Sequence, residues 1–244
     1  WGPSTAWRYI RPGHSLGKLE IRMTDGIHPN NPTYMRIHTE RVGHYYDFSG
    51  WTGYGLQNDG FVGFSVEAGA EYSVSAFLRN VPQGKNTMRI ALVEPQGWGK
   101  DPKLLAESLF DMEAENWKKY EATITPNADC KNAVLYILSL TEGTIDADMV
   151  SLMPQDTYKG HGLRKDLAQA LADLKPKFMR FPGGCVVHGG GDGFWNTYRW
   201  KNTVGPKEQR LQMKNTWGYH QSMGLGYYEY FQFCEDIGAQ PLPV

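Results

Sequence analysis

The spacing of apolar residues changes once along this 244-residue chain, near Thr157, from a period of about 2 to a period of about 3.6. A sheet face and a helix face need different repeats, so residues 1–157 and 158–244 are expected to fold as separate units. Before the change, residues 34–38, 61–66, 71–78, 88–93, 117–125, 133–140 and 146–152 alternate or run apolar over strand lengths, punctuated by Gly, Pro and Asn. About seven such segments predict an antiparallel β-sandwich. Residues 102–106 read as one helical turn. After the change, Leu163, Leu167, Leu171 and Leu174 form the apolar stripe of a helix, with Pro176 beyond its end. Residues 178–181 then read as a short buried strand, and Pro182-Gly183-Gly184 turn the chain. A long loop leads to a second stripe, Tyr227, Tyr230, Phe231, Cys234 and Ile237, closed by Gly238; residues 239–244 begin another strand. This order is a β/α repeat cut at both ends, and the sequence therefore reads as part of a longer protein. Charge changes at the same boundary: 14 basic and 19 acidic residues before it, 11 and 7 after it.

A formal net charge of -1 supplies no basic field for nucleic acid. No run approaches the roughly 18 to 20 apolar residues that span a bilayer. Cys130, Cys185 and Cys234 are an odd set without a C-x-x-C pair, so neither a disulfide framework nor a zinc site is indicated. Eight Trp and fourteen Tyr are many for a core of this size and suit a surface that stacks on something flat, sugars being one option.

Arg180-Phe181-Pro182-Gly183-Gly184-Cys185 lies at the carboxyl end of a predicted strand, where β/α architectures place their sites. Gly183 and Gly184 let backbone approach a ligand, and the Arg180 guanidinium can hold hydroxyls or a carboxylate in a fixed fork. The competing reading makes the glycines a tight turn and pairs Arg180 with a buried acid. Cys185 reads equally as a small buried hydrophobe. In the first half, Trp51, Tyr54 and Trp98 fall in predicted loops, either as exposed rings for sugar or as packing at the edges of the sandwich. Asp146 and Asp148 could belong to a structural calcium site, but two carboxylates fall short of the six to eight oxygens that Ca²⁺ takes. His188 has no second His or acid at metal spacing and reads as a loop polar group. No other cofactor or metal is indicated.

Five blocks carry a resemblance. Leu163-Arg164-Lys165-Asp166-Leu167, Lys177-Phe178-Met179-Arg180-Phe181-Pro182-Gly183-Gly184-Cys185, Tyr198-Arg199-Trp200-Lys201-Asn202-Thr203-Val204-Gly205-Pro206, Asn215-Thr216-Trp217-Gly218-Tyr219, and Gly224-Leu225-Gly226-Tyr227-Tyr228-Glu229-Tyr230 with Glu235-Asp236-Ile237-Gly238-Ala239 resemble, in order, the early barrel of the α-L-arabinofuranosidases of glycoside hydrolase family 51. The first half is similar to the jelly-roll, carbohydrate-binding-module-like sandwich that some members insert before this part of a (β/α) TIM barrel. The resemblance implies a partial barrel at 158–244 and retaining hydrolysis of arabinofuranosyl residues of arabinan or arabinoxylan. Retention takes two carboxyl groups about 5 to 5.5 Å apart. In the family these glutamates lie on the fourth and seventh barrel strands, so both are expected outside this chain. What carries over is positioning: Arg180 at the floor of the −1 subsite, Cys185 beside the sugar hydroxyls, and Trp217 as an apolar wall. The Gly189-Gly190-Gly191 run departs from the motif. The chain alone is expected to be inactive, the parent extracellular or periplasmic, and the incomplete barrel prone to self-association. The alternatives are a non-catalytic carbohydrate-binding module with a β/α packing tail and an interdomain scaffold that binds nothing.

Overall fold

A computed structural model of the chain describes residues 6–44, 50–60, 62–81, 84–97, 99–189 and 197–244. It divides into two compact units, one made of residues 4–24 and 33–154, the other joining residues 25–32 to residues 155–244.

The first unit is a sandwich of eleven strands: β1 (Trp7–Ile10), β2 (Leu16–Arg22), β3 (Tyr34–Arg41), β4 (Tyr54–Asn58), β5 (Phe64–Val66), β6 (Tyr72–Asn80), β7 (Asn86–Glu94), β8 (Lys103–Met112), β9 (Lys118–Ile124), β10 (Cys130–Ser139) and β11 (Gly143–Pro154). One sheet runs β1-β4-β10-β7-β8 with β5 also on β10, the other β2-β3-β11-β6-β9. Every pairing is antiparallel. Alternation puts Val74, Ala76 and Leu78 of β6 and Met88, Ile90 and Leu92 of β7 into the space between the sheets, fully buried. Each large aliphatic side chain hidden there contributes about 1.5–3 kcal/mol.

Four strands were not legible in the sequence, namely β1, β2, β4 and β8. Residues 102–106, expected as a helical turn, are instead the approach to β8 and its first half, with Leu104 opposite Val93 of β7. Five residues cannot repay helix nucleation, and a waiting strand edge decides the conformation. The segment at 61–66 is shorter than expected, with β5 beginning at Phe64 and Val62 exposed. Tyr54 belongs to β4 and is buried in the main core, and Trp51 is buried as well, so neither is an exposed loop ring. Trp51 closes a second apolar cluster, with Ala91, Val93, Val134 and Leu138, on the opposite face of β7 and β10. Its ring stands edge-on to Tyr136 at 5.8 Å, and its Nε1 donates to the Pro102 carbonyl at 3.1 Å.

The second sheet has a charged center. Asp146 of β11 alternates with the core residues Ile145 and Ala147 and so lies on the other face, yet it is fully buried. Arg36, opposite on β3, donates Nε to Oδ1 at 2.7 Å and Nη2 to Oδ2 at 3.0 Å. Arg79, opposite on β6, donates Nε to Oδ2 at 2.8 Å. The Arg79 guanidinium also donates to the Tyr34 hydroxyl and lies 4.7 Å from the center of the Trp117 ring. With both its oxygens facing guanidinium groups, Asp146 is in the wrong surroundings for a calcium ligand. Asp148 instead accepts a hydrogen bond from the Met149 amide.

The second unit contains β12 (Thr157–Tyr158), β13 (Leu163–Arg164), α1 (Lys165–Asp173), β14 (Phe178–Phe181), α2 (Cys185–His188), β15 (Met213–Lys214), β16 (His220–Gln221), α3 (Tyr227–Ile237) and β17 (Gln240–Pro243). β14 and β17 pair in parallel, Phe178 opposite Gln240 and Phe181 opposite Pro243, with α3 as the crossover. Gln240 and Val244 donate their amides to β14 at Lys177 and Phe181, so by alternation Pro241 and Pro243 turn toward the other edge. Phe181 is buried, stacked on Tyr230 at 4.5 Å and edge-on to Tyr227 and Phe231. Gly238 ends α3 in the left-handed conformation, as its sequence position predicts. The leucine stripe of α1 does not face the core: Leu167, Leu171 and Leu174 are exposed, Leu174 at 75%. Ala168 is the buried residue, packed with Tyr158 and Phe233, and Ala172 lies beside them. Phe178 is likewise exposed, so only the end of the predicted buried strand is covered.

Asp146→Asn leaves two guanidinium groups around a neutral amide. Urea unfolding is expected to show the sandwich less stable by about 3 kcal/mol, and an unchanged midpoint would show that the carboxylate carries no such weight.

Candidate functional site

The 182–226 connection leaves the carboxyl end of β14 and returns to α3, and it carries the candidate residues. The Phe181-Pro182 peptide is cis. Gly183 then has φ +66°, and a Cβ there would collide with the Arg180 guanidinium, so glycine at this position lets Arg180 fold over the turn. Arg180 is exposed and makes no hydrogen bond or ion pair among the described residues. Gly184 (φ +59°) precedes α2, whose first residue Cys185 is an exposed free thiol, not a buried hydrophobe. His188 is exposed, and among the described residues no three His, Cys, Asp or Glu side chains are placed to hold a metal.

Further along, β15 and β16 form a small hairpin whose tip is built by one side chain. Buried Asn215 accepts at Oδ1 from the amides of Trp217 (3.0 Å) and Tyr219 (3.2 Å). Its own amide donates to the Tyr219 carbonyl at 2.9 Å, and Gly218 donates to its carbonyl at 3.0 Å. The turn so fixed presents Trp217 (56% exposed) and Tyr219 (47% exposed) with ring planes 15° apart and centroids 6.3 Å apart. Of the rings proposed for sugar stacking, Trp217 is thus accessible, Trp51 and Tyr54 are not, and Trp98 lies outside the described residues.

Sequence reasoning missed the residue that organizes this connection. Arg210 is 4% exposed and donates Nε to the Gly205 carbonyl at 3.0 Å and Nη1 to the Met223 carbonyl at 2.8 Å. Nη1 and Nη2 also clasp Glu229 at 3.0 and 2.8 Å. Glu229 in turn accepts from the Gly226 amide at 2.8 Å, the glutamate half of a capping box at the start of α3, glycine having no side chain to return the bond. Gly226 itself is crowded against the Thr203 carbonyl, and the Tyr227 amide donates to Thr203 Oγ1 at 3.1 Å. The glutamate at the third helical position after Gly226 was the available signal; its arginine partner was not. Burial pushes the Glu229 carboxyl up, but the Arg210 and backbone hydrogen bonds outweigh it and hold the group below its ordinary value.

Four other acids of this unit have structural partners too. Asp166 pairs with Arg164, Asp156 with Lys165 and Asp236 with His161, while Asp173 accepts from Gln169. The five acids named, Glu229 included, are committed to local bonds, so none stands as half of an acid/base pair.

Residues 170–244 match the family model described as the alpha-L-arabinofuranosidase 1 domain. The chain is 39% identical to alpha-L-arabinofuranosidase 1 of Arabidopsis thaliana over 78% of its length and 27% of that protein. It is 42% identical to the extracellular exo-alpha-L-arabinofuranosidase of Streptomyces chartreusis over 79% of its length and 24% of that protein. A solved arabinose-bound family 51 α-L-arabinofuranosidase superimposes with a TM-score of 0.81 at 27% identity, covering 98% of this chain and 37% of that one. These relatives share a class, the glycoside hydrolases. Within it, the chain is related to the α-L-arabinofuranosidases of family 51, and it spans about a quarter of the length of the curated relatives it matches.

Because the Glu229 carboxyl is depressed, its contribution to stability is full above the ordinary glutamate value of about 4.3 and is lost as pH falls through the folded value. Glu229→Gln is therefore expected to flatten the acid limb of the unfolding midpoint. Arg210→Met should speed amide exchange across residues 203–226; exchange unchanged in that stretch would count against the clasp.

Proposed function

We propose that this chain supplies the sandwich and the substrate-positioning part of a retaining α-L-arabinofuranosidase that removes terminal arabinofuranosyl residues from plant polysaccharides. The observation that carries it is the exposed Arg180 guanidinium, without a partner among the described residues and folded over Gly183, at the carboxyl end of a strand in a parallel β-α-β unit. In this reading residues 158–244 are part of a (β/α)8 barrel and residues 1–157 a carbohydrate-binding-module-like sandwich. Arg180 donates to the sugar hydroxyls from a rigid fork, Gly183 and Gly184 keep side chains out of the way, Cys185 lines the hydroxyl side and Trp217 offers an apolar face. The proton donor and the nucleophile are two carboxyl groups supplied from outside this chain, a reading supported by the local bonds of Asp166, Asp173, Glu229 and Asp236. The protein acts outside the cell or in the periplasm, where its polymeric substrate lies. The exposed Leu167, Leu171 and Leu174 support self-association of the chain taken alone. A sandwich-centered binding module is disfavored because two of the rings it relied on, Trp51 and Tyr54, are buried.

The test is hydrolysis of an aryl α-L-arabinofuranoside. The full-length protein should turn it over and the 244-residue chain should not, while Arg180→Met in the full-length protein should cut kcat/KM by about 10- to 100-fold, the loss of a charge-assisted hydrogen bond in the site. Full activity in the Arg180 variant would end the positioning role. Sedimentation of the 244-residue chain tests the self-association, which a monomer at all concentrations would refute.

A further inference from the structure

Residues 25–32 leave the sandwich strands between β2 and β3 and belong by their packing to the second unit, together with residues 155–244. The segment is a built turn. The Asn31 amide donates to the His28 carbonyl at 2.8 Å, and the Asn30 amide to His28 Nδ1 at 3.1 Å. A Cβ on Gly26 would lie 2.5 Å from the Pro32 carbonyl oxygen, so glycine lets the two ends of the segment close on each other. Pro29 and Pro32 restrict the backbone further, and Asn31 is buried although it lies in a loop. Such a turn has little conformational freedom left to lose when it makes a contact.

This turn meets the connection that carries the candidate site. Asn30 Nδ2 donates to the Gln209 carbonyl at 3.1 Å. That carbonyl shares a planar peptide group with the Arg210 amide, which donates to the Lys207 carbonyl at 3.3 Å at the end of the single 3-10 turn Lys207–Gln209. Both polar atoms of the peptide are thereby held, and its plane sets where the buried Arg210 side chain starts toward Gly205, Met223 and Glu229. An arginine clasp tolerates little displacement of its root, because its flat fork must meet two carboxylate oxygens at once.

We propose that residues 25–32 are a strut that the sandwich half contributes to the site, and that Asn30 is a positioning residue acting through Arg210 on the 203–226 stretch. This gives the sandwich half a part in the reaction that needs no sugar bound to it. The bracing stands on the hydrogen bonds just described, while its consequence for turnover rests on the arabinofuranosidase reading above.

The experiment follows amide exchange in the full-length protein alongside kcat/KM on an aryl α-L-arabinofuranoside. Asn30→Ala should speed exchange across residues 203–211 by about fivefold, the worth of one neutral hydrogen bond, and lower kcat/KM by about two- to fivefold, with exchange in β6 and β7 unchanged. Asn30→Asp keeps the shape of the side chain but sets a carboxylate against the Gln209 carbonyl, so near neutral pH it should be at least as damaging. Its excess exchange should vanish below about pH 4, where the introduced carboxyl is protonated and donates again. Wild type at each pH is the reference, which cancels the other charged groups of the two turns, Asp25, His28, Lys207, Glu208 and Arg210. Exchange at 203–211 equal to wild type in Asn30→Ala, or wild-type behavior of Asn30→Asp near neutral pH, overturns the strut. An equal rise in β6 and β7 overturns it too, since the effect would then be a general loss of stability. Faster exchange at 203–211 with undiminished kcat/KM overturns the positioning role. If the wild-type full-length protein cleaves no arabinofuranoside, the functional reading fails, and the exchange comparison alone decides the strut.

Discussion

The Arg210–Glu229 clasp is the interaction on which the candidate site depends. Among its described residues, the 45-residue connection between β14 and α3 has no sheet of its own beyond a four-residue hairpin, so their arrangement comes largely from side chains reaching backbone. Arg210 does this from a buried position, holding carbonyls at residues 205, 223 and 224 as well as both oxygens of Glu229. The same carboxylate caps α3, whose aromatic residues in turn pack on Phe181 at the end of β14. One ion pair thus links the loop that carries the rings, the helix that returns the chain and the strand that carries Arg180. A buried pair of this kind is a modest source of stability but a strong selector among loop conformations, since any other arrangement leaves a charge unmatched.

The sandwich shows the complementary case, in which charge is placed inside a regular sheet. Asp146 sits in register between Arg36 and Arg79, so one row across β3, β11 and β6 must be correct for any of the three to be satisfied. A slip of one residue would put Asp146 into the apolar core and Ile145 into its place. The triad fixes register where alternation alone would tolerate error, and its use of both carboxylate oxygens is also why this residue does not serve as a cation ligand.

How much of this could be read in advance depended on what the residues had to distinguish. β6 was legible because its burial alternates, and β7 and β10 because their apolar runs, residues 90–93 and 133–135, reach strand length. β4 and β8 were not: Tyr54, Gly55 and Leu56 are buried one after another, and β8 begins in a segment whose local preference favored a turn. Periodicity identified α1 but chose the wrong face for it, because a repeat shows that a stripe exists and not which side meets the core; of the stripe, Leu163 just before the helix packs with Tyr158 and Phe233, and within the helix Ala168 and Ala172 do so. The Arg180-to-Cys185 turn and Trp217 were visible as motifs. Arg210 was invisible, since most of its partners are backbone carbonyls that carry no sequence signature.

The two prolines of β17 make its free edge chemically one-sided. Pro241 and Pro243 turn toward that edge with carbonyl oxygens but no amide hydrogens, so the edge can only accept. Two copies of this chain brought together through β17 would set oxygen against oxygen, and such a contact repels itself. A neighboring strand with free amides can still dock, at half the usual number of bonds. The edge therefore discriminates by hydrogen-bond polarity, suited to a strand with free amides and repelling one that, like itself, can only accept.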